Sequence, residues 1–224
     1  MIRQAIIVAG GNGTRMKTEI PKQFLSLCGK PIVMHTLETF HRFDHQIELI
    51  VVLPEELISF WEKLCVEFHF KIPHITVSGG KERFYSVKRG LQFAKPNALI
   101  AIHDGVRPFV SKETLERCFF AAKTYGNAIP TTSLVDTIRK INQSESEIVD
   151  RAQLRAIQTP QVFQSSTILK AYEQGFSPTF TDDASVAEAN GEKIHLVEGN
   201  IENIKLTTPF DLLIGEAFLQ QQKE

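Results

Sequence analysis

The chain has 224 residues, 42% of them hydrophobic and 23% charged, with 25 Lys and Arg against 26 Asp and Glu for a net charge of −1. That is the composition of one globular domain whose core needs no disulfide or structural metal, and it excludes disordered, fibrous and membrane classes. The charge balance removes the broad basic face expected of a nucleic-acid binder. No apolar run exceeds strand length, so neither a membrane span nor a secretory signal is expected. Cys28, Cys65 and Cys118 are odd in number and show no CxxC spacing. They read as small hydrophobes in a reducing, cytoplasmic compartment.

In chain order, Gln4 to Val8 predicts a buried strand running into a glycine-containing loop, Gly10 to Pro21. A helix begins after Pro31, with Ile32, Leu37 and Phe40 at helical spacing. Glu48 to Leu53 is a second strand, and Pro54 opens an amphipathic helix reaching about Phe68. Ile75 to Ser78 is a third strand, Ser86 to Ala94 a helix, and Leu99 to His103 a fourth strand. Ser111 caps a helix through about Tyr125, and Ala128 to Thr132 is a fifth strand. From Leu134 the pattern alternates, passes a polar tip at Asn142 to Glu147 and returns through Ile148 to Ile157, which predicts a two-stranded arm over 134–157. A lone hairpin is marginal in water, so such an arm is expected to lie on another subunit. Gln164 to Gln174 returns to helix, Asp183 to Asn190 is a helix ended by Gly191, Lys193 to Glu198 is a strand, and Pro209 to Gln222 is the last helix. Strands alternating with helices predict a single α/β domain, 1–224, with a mostly parallel sheet.

Chemistry concentrates at the strand ends. Gly10, Gly11 and Gly13 follow the first strand, where glycine lets backbone N–H groups approach an anion. The dinucleotide fingerprint GxGxxG fails at Met16 and no P-loop occurs, which argues against an NAD-dependent oxidoreductase. Arg15 and Lys22 instead flank the loop, with Pro21 stiffening it, and two cations beside backbone donors describe a polyphosphate site. In IAIHDGVRPF, Asp104 offers a hard oxygen for Mg²⁺, Arg107 can fork onto a phosphate, and His103 reads as structural. Gly80, Lys81 and Ser86 in SGGKERFYSV form a donor-rich turn suited to a pyrimidine edge. Thr181 and Lys205 read singly as an N-cap and a strand-edge lysine. No Ser/His/Asp or Cys/His nucleophile set is visible.

Taken in order, AGGNGTRMKTEIPKQ, GGKERFYSV, HDGVRP, DTIR, RAQLRAIQTPQVF, TDD and NIKLTTPFDL resemble the 2-C-methyl-D-erythritol 4-phosphate cytidylyltransferases, over Ile6 to Leu212. HDGVRPF also leans toward the ribitol-5-phosphate cytidylyltransferases, which leaves CDP-ribitol synthesis as the alternative, while TDDASVAEANG and the arm favour the erythritol enzymes.

The resemblance implies a Rossmann-like three-layer domain of nucleotide-diphospho-sugar transferase type with a projecting β-hairpin arm. It implies transfer of the cytidylyl group of CTP to 2-C-methyl-D-erythritol 4-phosphate, in isoprenoid precursor synthesis, by a Mg²⁺-dependent homodimer. Carried over by residue, Ala9, Gly10, Gly11, Gly13, Gly80, Lys81, Ser86, Asp104 and Gly105 would hold CTP, with Asp104 also on the metal. Arg15, Lys22, Arg151 and Lys205 would be catalytic, and Arg107, Thr137, Arg151 and Thr181 would bind the acceptor phosphate. Thr137 and Arg151 would come from the arm of the other subunit. A catalytically silent nucleotide-binding protein is the remaining reading, and the joint presence of nucleotide and acceptor residues argues against it.

Overall fold

The structure, a computed structural model, describes residues 1–11, 20–142 and 145–221. Its centre is laid down by runs of apolar residues too continuous for a one-sided sheet. β1 (Arg3–Val8) is followed by a short hairpin, β2 (Ser26–Leu27) and β3 (Lys30–Pro31), then by α1 (Ile32–Phe43) and β4 (Glu48–Leu53). A 3₁₀ turn at Glu55–Leu57 leads into α2 (Ile58–Glu67), then come β5 (Ile75–Ser78), α3 (Arg83–Gly90) and β6 (Leu99–Asp104). α4 (Lys112–Tyr125) starts at Ser111, whose hydroxyl accepts from Thr114 N at 3.1 Å, and ends at Gly126, whose φ of 94° is a left-handed cap. β7 (Asn127–Ser133) leads out to β8 (Ile138–Asn142) and β9 (Glu145–Val149), and β10 (Arg155–Ile157) and β11 (Gln161–Gln164) bring the chain back. α5 (Ser165–Ala171), α6 (Asp183–Ala189), β12 (Leu196–Glu198) and α7 (Pro209–Gln221) complete the order.

The main sheet runs β10-β7-β11-β6-β1-β4-β5, with β12 added beside β7. β6, β1, β4 and β5 are parallel, and β11 enters antiparallel between β6 and β7. Parallel strands need covering on both faces. Alternate residues supply it: Ala5, Ile7, Leu49 and Val51 pack under Leu37, Phe40, Trp61 and Phe119 on one face. Ile6, Ile50, Val52 and Ile102 pack under Phe84, Val87, Tyr172 and Val186 on the other. Three α/β/α layers result, as expected. α7 covers a smaller third cluster around Leu27, Val106, Phe109 and Leu206.

Several boundaries differ from the sequence expectation. The arm is shorter than 134–157, because β8 pairs only with β9 whereas Arg155–Ile157 pairs antiparallel with Thr131–Ser133 of the main sheet. Backbone pairing there places Gln158, Thr159 and Gln161 in the interior. The helix expected from Ser86 begins three residues earlier, at Arg83, and tightens to 3₁₀ at Leu91–Phe93. The helix expected over Gln164 to Gln174 runs only Ser165–Ala171, and Gln164 instead ends the unexpected strand β11, whose Val162 and Phe163 are buried on opposite faces of the sheet. Lys193 to His195 precede the short strand β12, and the segment carrying Lys205 is an irregular loop rather than a strand edge. Among the described residues, no helix is long and apolar enough to cross a membrane.

Candidate active site

In a sheet whose central strands are parallel, all carboxyl ends face one edge, and ligands bind there. β1 and β6 are in register with Val8 opposite Asp104, so the turn after β1 and the carboxylate ending β6 meet at that edge. Ala9 N donates to Val52 O at 2.9 Å and Gly105 N to Val8 O at 2.8 Å, which fastens both turns to the sheet. A Cβ on Gly105 would lie 2.9 Å from Ala9 Cβ, so only glycine allows the two turns to approach this closely. The third turn follows β5. Gly80 N donates to Ser86 Oγ at 3.1 Å, and a Cβ on Gly79 would reach within 2.9 Å of the same oxygen.

Between these turns lies a cleft of about 340 Å³, lined by Val8, Ala9, Gly10, Gly11, Lys22, Gln23, Gly80, Lys81, Glu82, Arg83, Ser86, Asp104, Val106 and Lys205. Four cations therefore face two carboxylates, which favours a polyanionic ligand. Lys22 follows Pro21 on a 3₁₀ turn, Lys22–Phe24, whose Phe24 is buried against Phe60 and Trp61. A Cβ on Gly11 would be 3.4 Å from Lys22 Nζ, so the ammonium lies directly over the glycine turn. Gln23, beside it, is fully buried, and among the described residues neither atom of its amide has a hydrogen-bond partner.

Asp104 is the electrostatic centre. Lys205 Nζ lies 3.0 Å and Arg107 Nε 3.2 Å from its Oδ2, and Arg83 Nε lies 3.9 Å from Oδ1. Burial alone would raise the pKa of this carboxyl, but Lys205, Arg83 and Arg107 outweigh it and hold the group well below the usual carboxylate range. The neighbouring His103 is the reverse case, since burial lowers its pKa to about 4. Its Nε2 faces Arg107 O at 2.9 Å and its Nδ1 faces Thr159 Oγ1 at 3.0 Å. A neutral ring that donates from Nε2 and accepts at Nδ1 satisfies both, so His103 is structural, as its sequence reading held.

A divalent cation was expected at Asp104. Among the described residues, no group of three His, Cys, Asp or Glu side chains could hold one by itself. Asp104 nevertheless sits in the cleft wall, with Arg83 Nε 3.9 Å from its Oδ1. One carboxylate completed by nucleotide phosphates suits Mg²⁺, which binds through one or two carboxylates together with substrate phosphates. The donor set fits an ion that arrives with a polyphosphate.

Of the residues singled out in the sequence, the cleft gathers Ala9, Gly10, Gly11, Lys22, Gly80, Lys81, Ser86, Asp104 and Lys205, with Gly105 packed behind them. Gly13 and Arg15 lie outside the described residues. Arg107 is turned inward, to Asp104 and to Asn203 O at 2.7 Å, which ties β6 to the loop carrying Lys205. Thr181 is exposed at the start of α6, and the N-cap there is Asp182, which accepts from Ser185 N at 2.9 Å. Thr137 and Arg151 are exposed at the base of the arm, where Arg151 donates to Val135 O, and neither lines the cleft of its own chain.

Sequence reading missed Arg83, Asp183 and Tyr172. Arg83 forks onto Asp183, with Nη1 to Oδ1 at 2.8 Å and Nη2 to Oδ2 at 2.6 Å, and Tyr172 OH donates to the same Oδ1 at 2.6 Å. Burial alone would lower the Arg83 pKa, but Asp183 and Asp104 reverse this and keep the guanidinium charged. The available signal was that GGKERFYSV and TDD each carry a charge no surface periodicity requires.

Comparison with known proteins agrees with this architecture. The family model for 2-C-methyl-D-erythritol 4-phosphate cytidylyltransferase matches residues 3–221. A protein of that description from Bacteroides fragilis is 52% identical over 219 residues, covering 98% of this chain and all of the relative. One from Geobacillus kaustophilus is 41% identical, covering 96% of each chain. Among solved structures, 4-diphosphocytidyl-2C-methyl-D-erythritol synthase from Anaerococcus prevotii is similar with a TM-score of 0.82 at 29% identity, covering 98% of this chain and 96% of its own. The 2-C-methyl-D-erythritol 4-phosphate cytidylyltransferase of Thermus thermophilus is similar with a TM-score of 0.80 at 30% identity, covering 98% and 100%. With its glycine turns, its cation-ringed carboxylate and near full-length matches of this kind, the chain belongs to the 2-C-methyl-D-erythritol 4-phosphate cytidylyltransferase family.

Proposed function

We propose that this chain transfers the cytidylyl group of CTP to the phosphate of 2-C-methyl-D-erythritol 4-phosphate, releasing pyrophosphate and forming 4-diphosphocytidyl-2-C-methyl-D-erythritol for isoprenoid precursor synthesis. The observation that carries the reading is the buried Asp104, held between Lys205, Arg107 and Arg83 in a cleft shared with Lys22 and two glycine turns. At neutral pH a phosphate monoester is already largely dianionic, its second pKa being about 6, so the attacking oxygen needs no general base. The lack of a nucleophile set follows from that. The difficulty is electrostatic: the acceptor dianion must approach the α-phosphate of a triphosphate. Lys22 and Lys205 offset the charge that accumulates there, and the turn at Gly10 and Gly11 offers backbone donors beside them. Mg²⁺, held by Asp104 and the nucleotide phosphates, would supply further charge neutralisation when bound.

Pyrophosphate release from CTP and Mg²⁺ tests the reading, with 2-C-methyl-D-erythritol 4-phosphate and ribitol 5-phosphate as parallel acceptors. Release with the first alone is expected. Release with ribitol phosphate alone would keep the chemistry and change the product to CDP-ribitol, and release with neither would leave a silent nucleotide binder.

The arm gives the proposal its second part. Val135, Ile141 and Ile148 are 82%, 68% and 69% exposed, an apolar surface that isolated hairpins do not sustain. We place this arm on a second copy of the chain, where it brings Thr137 and Arg151 to the partner's acceptor phosphate. Mixing inactive Lys22→Ala and Arg151→Ala proteins should then restore about a quarter of wild-type activity, since half the dimers hold one intact site. No recovery after subunit exchange would put the whole site in one chain. The unpaired Cys28, Cys65 and Cys118 support a reducing cytoplasm as its setting.

A further inference from the structure

Arg83 reaches from the nucleotide side of the cleft to the segment assigned above to the acceptor. It is the first residue of α3, directly after the Gly80–Lys81 turn on the nucleotide side. Its guanidinium spans to α6, where both terminal nitrogens fork onto Asp183, while Nε remains 3.9 Å from Asp104 Oδ1. Asp183 is fully buried and lies two residues from Thr181. Its neighbours are fixed as well, because Gln161 donates to Asp182 Oδ2 at 2.7 Å and accepts from Ala184 N at 2.7 Å. The start of α6 is therefore tied to β11 through Gln161, and Arg83 joins it to the carboxylate of the nucleotide site.

We propose that Arg83 is a positioning residue that couples the two substrate sites: its fork onto Asp183 sets the Thr181–Asp183 segment, and its Nε sets the orientation of Asp104. A ligand that orders either end orders the guanidinium plane, so the other end is already placed for the second ligand. Such coupling is reciprocal and amounts to fivefold or more, roughly, where two sites share one ordered element. Lysine keeps the charge but offers a single point donor, which cannot fork onto Asp183 and face Asp104 together.

The proposal rests on the cytidylyltransferase reading, and the test separates the two. Binding of the non-reactive α,β-methylene-CTP with Mg²⁺ is measured by calorimetry, with and without saturating 2-C-methyl-D-erythritol 4-phosphate. Wild-type protein should bind the analogue at least about fivefold more tightly when the acceptor is present. Arg83→Lys, a change in the cleft lining, should weaken each ligand alone and show no enhancement, the quantity read being the ratio of analogue affinities with and without acceptor. Tyr172→Phe removes the hydroxyl on Asp183 without touching the Arg83 fork, and it should keep the enhancement. If Arg83→Lys does not fold, Asp183→Asn breaks the same fork and should abolish the enhancement. Full enhancement in Arg83→Lys or Asp183→Asn, its loss in Tyr172→Phe, or its absence in wild type would each overturn the coupling. Absence of any analogue binding to wild type would instead remove the cytidylyltransferase reading itself.

Discussion

Replacing Lys22 by alanine is expected to lower kcat by about a hundredfold or more, the loss typical of one preorganised group that meets developing charge. The ammonium is not a loosely held surface charge. It stands on a short turn whose next residues, Gln23 and Phe24, are buried, and it lies over Gly11 at the mouth of the cleft. A cation placed this way costs no reorganisation at the moment of transfer. Because its stabilisation grows as the acceptor dianion closes on the α-phosphate, the CTP KM should move far less than kcat, which distinguishes it from uniform binding. Steady-state kinetics under saturating acceptor, with thermal unfolding as a control, measures this. Unchanged kcat would take Lys22 out of the mechanism, and a rise in KM alone would make it a nucleotide-binding residue.

The sequence was most readable where one physical requirement dominates a segment. β1, β4 and β6 are apolar on both faces, so their strand character and their place in the middle of a parallel sheet could be read directly. Close approach leaves no room for a Cβ at Gly80 and Gly105, whereas one at Gly10 would, among the described residues, meet only Ser86 Oγ at 3.8 Å; Gly10 and Gly80 line the cleft and Gly105 packs behind it. Helix starts were less legible, because Ser86 looks like a cap but its hydroxyl serves Gly80 N inside the site, while α3 begins at Arg83. β11 was hidden for another reason: Gln161 and Gln164 look solvent-facing, yet Gln161 is buried and bonded to Asp182 and Ala184. The same holds for Arg83 and Asp183, separated by one hundred residues and joined only by the fold. Arg107, expected to meet the acceptor phosphate, turns inward because a buried carboxylate three residues earlier offers a partner without the entropy of reaching outward.

Asp104→Asn should produce effects of opposite sign on stability and on anion binding. Among the described residues, this carboxylate is the one acidic group ion-paired with Lys205 and with Arg107. Removing one member of a buried charge set commonly costs 3–5 kcal/mol, because the charges left behind lose their partner. Here the loss should fall near the low end, about 3 kcal/mol. Arg83 keeps Asp183, Arg107 keeps Asn203 O, and the Lys205 side chain is 40% exposed and hydrated. For a chain of this size that corresponds to a Tm lower by roughly 6–12 °C. The same change relieves a polyphosphate of the repulsion of a fixed negative charge. With EDTA present, pyrophosphate should therefore bind Asp104→Asn roughly tenfold more tightly than wild type, a gain of about 1.4 kcal/mol at the dielectric of a partly open cleft. With Mg²⁺ present the ranking should reverse, and turnover should fall by at least about a hundredfold, because the variant keeps the cleft's cations but loses the Asp104 oxygen that would share an ion with the nucleotide. Weaker pyrophosphate binding by the variant in EDTA would show that Asp104 acts there by orienting Lys205 and Arg107 rather than by opposing the ligand's charge.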